Sequence, residues 1–141
     1  MNKKTAELRC VGFSGEWKSN RLEEVFDIRV GNNSLSRENL STKDGEVSNI
    51  HYGDILVKYG SIVDISNTSN TIPLIKNSKT LDFRRVLLKN GDIVFADASE
   101  DEMCGKMIEI YNPENSPVVA GLHTIAYSTT QYFAHFFWVI I

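Results

Sequence analysis

The side chains able to address another molecule fall into a few stretches of this sequence. His51, Tyr52, Lys58 and Tyr59 lie within one short segment, and Lys76, Lys79, Arg84, Arg85 and Lys89 make the densest basic region. Lys106 follows Gly105, and His123 sits in Gly121-Leu122-His123-Thr124. Cations and ring or amide donors of these types clamp phosphates and read base edges in a DNA groove. Each also has a plainer reading. Tyr52 and Tyr59 suit a half-buried core, Lys58 a solvated edge, and the basic stretch an ordinary charged surface. The two histidines could satisfy buried carbonyls, and Asn49, a possible adenine reader, suits a turn.

The acidic run Asp97-Ala98-Ser99-Glu100-Asp101-Glu102 raises a second chemistry, since clustered carboxylates hold magnesium in nucleases. Consecutive acids on one loop aim only alternate carboxylates at a common ion. Capping the next element, or accepting from a cytosine amino group, fits the run better. Cys104 with His123, and Ser99 alone, belong to no activation motif, and no Gly-x-Ser-x-Gly elbow occurs. A phosphate loop, a dinucleotide fingerprint and a paired-cysteine zinc site are also missing from the sequence. The residues call for no metal or cofactor and display no catalytic centre.

Composition narrows the class further. The 141 residues are 42% hydrophobic and 23% charged, which is the make-up of a folding domain rather than a disordered chain. A length of this order holds a core without staples. Two cysteines are too few for a disulfide framework, and no apolar stretch follows the basic Met1-Asn2-Lys3-Lys4, so the expected compartment is the cytoplasm. The net charge of -3 argues against a sequence-blind nucleic-acid coat, which needs a basic surplus. It leaves room for specific reading by a few placed side chains.

These residues need elements to position them. Apolar residues from Trp17 to Ile28 recur at helical spacing and predict a short amphipathic helix near 19–27. Residues 32–49 read as a long polar loop, and 76–84 as another. Segments 54–59, 61–65, 85–88, 92–96, 107–110 and 121–127 are rich in β-branched and aromatic residues and read as strands. An internal echo, Tyr52-Gly53-Asp54-Ile55-Leu56 against Asn90-Gly91-Asp92-Ile93-Val94, predicts in both places a glycine turn followed by a buried strand. The expected fold is α+β, a β-rich twisted mixed sheet with short peripheral helices in a single domain over 1–141. Residues 133–141 are apolar apart from His135 and too few for a membrane span. They read as the beginning, from about 131, of a helix continuing in a longer parent protein.

Four blocks then stand in order: LRCVGFSGEWKSNRLEEVFDI, NIHYGDILVKYG, LLKNGDIVFADASEDEMCGKMIEI and VVAGLHTIAY. Together they resemble a target recognition domain of type I restriction–modification specificity subunits, across nearly the whole chain. The resemblance implies sequence-specific binding of double-stranded DNA, with one half of a bipartite site read by each domain. It places adenine methylation, using S-adenosylmethionine, on partner modification subunits, and ATP-driven translocation and cleavage on restriction subunits. The chain departs from the family pattern in carrying one recognition domain and no heptad helix. On this expectation DNA contacts come from His51, Tyr52, Lys58, Tyr59, Lys76, Arg84, Arg85, Lys89, Lys106 and His123. Two rivals remain. A small β-rich hydrolase needs a serine buried against a lysine, and a protein-interaction domain needs an exposed apolar patch without a basic strip.

Overall fold

Met107-Ile108-Glu109-Ile110-Tyr111 alternates outward and inward along its length, with Ile108 and Ile110 buried and Tyr111 exposed, as a strand with one face on a core must. Ile93-Val94-Phe95-Ala96 is nearly continuously buried because it runs through the middle of a sheet covered on both faces. The computed structural model describes residues 28–67, 71–99 and 103–128, together with Arg21, Glu24 and Phe26. In chain order the strands are β1 (Ile28–Val30), β2 (Leu40–Ser41), β3 (Ser48–Ile50), β4 (Ile62–Asp64) and β5 (Leu74–Ile75). They continue with β6 (Ile93–Ala96), β7 (Met107–Tyr111), β8 (Val118–Ala120) and β9 (Thr124–Ser128). Two short helices, α1 (Tyr52–Val57) and α2 (Thr80–Phe83), and a 3-10 turn at Arg37–Asn39 complete the described elements.

The architecture is α+β, with the strands in two mixed sheets. The larger has the order β1-β9-β6-β7-β4, antiparallel except for the parallel β4–β7 edge. The smaller has the order β2-β5-β3-β8, with β3 and β8 parallel. β8 belongs to one sheet and β9 to the other, so the turn at 121–123 is the corner between them. One core joins both sheets to α1: Ile50, Ile55, Tyr59, Val94, Ile108, Ile110, Val118 and Ala120 pack together. A smaller cluster of Leu40, Val47, Ile75 and Val119 lies under the second sheet. On the far face of the larger sheet Phe95 meets Phe26 and Tyr127 edge-on, and Phe26 stacks on Tyr127 at 5.1 Å.

Strands expected at 61–65, 92–96 and 107–110 are present as β4, β6 and β7. Other expectations need correction. Segment 54–59 is not a strand: α1 occupies 54–57, with Ile55 buried inside it and Tyr59 buried just past its end, while Val57 and Lys58 face water. A run of three apolar residues fits either period, and here the helical one wins. Residues 85–88 form no strand, only an isolated bridge of Leu87 to Val119. The polar stretch 32–49 holds the 3-10 turn, β2 and the start of β3, and the loop expected at 76–84 contains α2. The strand expected at 121–127 starts only at Thr124, and a separate strand, β8, precedes it. Most of the expected helix at 19–27, the acidic residues 100–102 and the expected helix start at 131–141 lie outside the described residues. Among the described residues no helix is long and apolar enough to cross a membrane.

Candidate nucleic-acid interface

His51 follows β3 directly and caps α1. Its Nδ1 accepts from the backbone N–H of Gly53 at 3.2 Å, filling one of the donors that a helix start leaves open. With Nδ1 an acceptor, the neutral ring carries its proton on Nε2. Burial pushes the pKa of His51 down, and the Arg37 guanidinium, 3.4 Å from Nδ1, pushes it the same way. Arg37 itself grips Asp54 in the first turn of α1 through two bonds of 2.8 and 3.1 Å. Asp54 is buried, so this fork is what makes a carboxylate tolerable there.

From His51 a line of polar rings runs outward to solvent. The Tyr52 ring packs on His51 at 4.7 Å, and the ring of His123 meets Tyr52 edge-on at 5.3 Å. His123 Nδ1 lies 3.5 Å from Asp97 Oδ1, and the Asp97 backbone N–H donates to the His123 carbonyl. His123 holds φ 52°, a left-handed conformation that a non-glycine residue adopts only at a cost of about 1 kcal/mol or more. Gly121 explains how the corner reaches this position. A Cβ there would stand 2.6 Å from Asn49 Nδ2 and 2.8 Å from the Ile50 carbonyl, so only glycine lets β8 turn this close to β3.

Beside His123 and Asp97 opens a cleft of about 510 Å³, lined by Asn32, Asn33, Ser34, Leu35, Phe83 and Leu122 as well as those two. Its polar rim is held in place. Asn32 Nδ2 donates to the Thr124 carbonyl at 2.7 Å, and Asn33 Nδ2 donates to Asn49 Oδ1 and the Ala120 carbonyl at 2.7 and 2.9 Å. Asn49 thus lies within β3, fully buried, rather than at the expected turn. The cleft presents a carboxylate, an imidazole and amides above an apolar floor of Leu35, Phe83 and Leu122. Such a surface can accept from and donate to a flat polar edge while packing against its face.

No family model, curated protein or solved structure matches the chain.

Of the ten residues expected to contact DNA, the structure brings His51, Tyr52 and His123 together. Lys58, Tyr59 and Lys106 gather instead at the other end of α1. Lys106 Nζ donates to the Leu56 and Tyr59 carbonyls at 3.2 and 2.9 Å, capping the helix, and Lys58 Nζ donates to the Thr71 carbonyl at 2.7 Å. Tyr59 is 5% exposed, and burial pushes its hydroxyl pKa up. Lys76 Nζ reaches the Glu38 carbonyl. Lys89 is exposed ahead of β6, with its backbone N–H on Asp92. Arg84 and Arg85 follow Phe83 of the cleft wall, both exposed, and make no side-chain hydrogen bond or ion pair among the described residues. Residues Asn32, Asn33, Phe83 and Arg37 escaped sequence reasoning because their partners lie far along the chain. A Gly-Asn-Asn-Ser run by itself signals only a turn. Among the described residues no group of three His, Cys, Asp or Glu side chains could hold a metal ion.

Proposed function

We propose that this chain is a DNA target recognition domain that reads one half of a split duplex site. In this reading, methylation and cleavage belong to partner modification and restriction subunits of a cytoplasmic type I restriction–modification complex. The observation that carries the proposal is convergence. His51 and Tyr52 from the second block of the resemblance, Asp97 from the third and His123 from the fourth meet beside one cleft. Each role then follows from its chemistry. The Asp97 carboxylate accepts from a cytosine amino group, His123 donates to a base or phosphate oxygen, and Arg84 and Arg85 hold phosphates without reading sequence. A net charge of -3 keeps the sequence-independent grip weak, so discrimination falls on the cleft.

Selection from a random-sequence duplex pool, with the 141-residue chain immobilised, tests this. A short common half-site should be enriched, and binding to it should fall steeply as salt rises. Arg84→Ala or Arg85→Ala should weaken binding to all sequences alike and flatten the dependence of log affinity on log salt by about one per lost phosphate contact. Asp97→Ala should instead relax the choice of base at one position, worth about 1–3 kcal/mol. A pool that emerges with no common sequence sinks the proposal.

A further inference from the structure

We propose that Leu81 is a wedge that enters the stack of a DNA duplex at one base step next to the half-site. The inference rests on the DNA-reading role proposed above and goes beyond it, since Leu81 is not part of the cleft. Leu81 is 76% exposed on α2, a helix with no buried residue, and among the described residues only Val57 of the exposed large apolar side chains is more open to water. The helix beneath it is nonetheless anchored. The Glu46 carboxylate accepts from the Thr80 backbone N–H at 3.0 Å and from the Thr80 hydroxyl at 3.2 Å, and these bonds pull the Glu46 pKa down. Phe83 packs against the smaller core and forms part of the cleft wall. Two residues apart at 3.6 per turn, Leu81 and Phe83 are separated by about 200° around the axis, so seating Phe83 turns Leu81 outward.

The flanking charge selects the occupant. Residues 79–85 hold Lys79, Arg84 and Arg85 against one carboxylate, Asp82, while Glu46 faces Thr80 and Lys79. Arg84 and Arg85 are unpaired among the described residues. A single projecting leucine between cations is a poor protein-docking surface, which needs a broader apolar centre. It matches what opening a base step requires: an apolar side chain to replace the lost stacking, and cations on the phosphates either side. The occupant is therefore double-stranded DNA, unstacked at the step that Leu81 enters.

The test uses the duplex enriched by the selection above, with 2-aminopurine or a single mismatch placed at each position in turn. For the wild-type chain, 2-aminopurine fluorescence should rise on binding at one step, and a mismatch there should raise affinity about tenfold by lowering the unstacking cost. Leu81→Ala should abolish both effects and weaken binding to the intact duplex about tenfold, with the salt dependence unchanged because no phosphate contact is lost. Leu81→Met should keep them. Leu81→Ala that binds the intact duplex as tightly as the wild type, with the same fluorescence rise, overturns the wedge and leaves the recognition role standing. A wild-type chain that enriches no sequence overturns both.

Discussion

Tyr52-Gly53-Asp54-Ile55-Leu56-Val57 and Asn90-Gly91-Asp92-Ile93-Val94-Phe95 share a Gly-Asp-Ile centre, yet the first is helix α1 and the second is a turn opening into β6. What surrounds each glycine differs. Gly91 sits at φ +85° with the Asp92 carboxylate closing the turn onto the Lys89 N–H at 2.7 Å, and β6 is then paired by β7 on one side and β9 on the other. Gly53 lies inside a helix whose first turn is capped by His51, and α1 bonds its own backbone. The two aspartates are both buried and are made tolerable by different means. Asp54 is met by Arg37, whereas Asp92 accepts a backbone N–H and burial pushes its pKa up. Similar local residues therefore take the structure that their distant partners can satisfy.

The comparison can be broken most strongly at Arg37. Arg37→Ala strands a buried carboxylate and should cost about 2 kcal/mol in denaturant unfolding, less than a fully buried pair because the arginine side chain is 53% exposed. Adding Asp54→Asn should recover much of the loss, and a cost below about 0.5 kcal/mol for Arg37→Ala would show that the pair does not hold α1. Next come the glycines. Gly91→Ala has open space around it but the wrong φ, so it should cost about 1–2 kcal/mol. Gly53→Ala, with only ordinary contacts to His51 and Arg37, should be neutral or stabilise by up to about 1 kcal/mol. Equal effects at both glycines would show that the helix and the turn do not differ in the backbone conformation they ask of glycine.

Lys106→Met removes two carbonyl bonds from the end of α1 and should cost about 1 kcal/mol. Hydrogen exchange should quicken at 56–59 and not in β6. The smallest effect is that of pH on the cap. The folded state holds the His51 pKa below its ordinary 6.5 and so favours the neutral ring. Its contribution is complete above pH 6.5 and declines as pH falls through the lowered folded value. Melting temperature should therefore drop on acidification below 6.5, and this part of the slope should vanish in His51→Asn, which keeps a capping acceptor. An unchanged slope in that variant refutes the role.

How much was legible follows the range of the interactions. β7 and β6 could be read because alternation, a bounding Gly-Asp and β-branched residues are all local signals, and the α+β class follows from their number. Lys106 as a helix cap could not be read, because its acceptors lie about fifty residues back in a segment whose own period was ambiguous. The pairing of His51 and Tyr52 with His123 was equally hidden: it depends on Gly121 passing against Asn49 and on a left-handed histidine that no spacing announces.

The amino-acid sequence alone determined which residues could be inside, where β4, β6 and β7 run, and which side chains carry donors and cations. Tertiary structure decided whether Gly-Asp-Ile becomes helix or strand, which lysines are tied to carbonyls, and which rings meet at the cleft. The reason is physical. Periodicity records how each residue partitions between water and core, whereas a buried carboxylate, a cap or a corner is settled by whichever group the rest of the chain brings within hydrogen-bond reach.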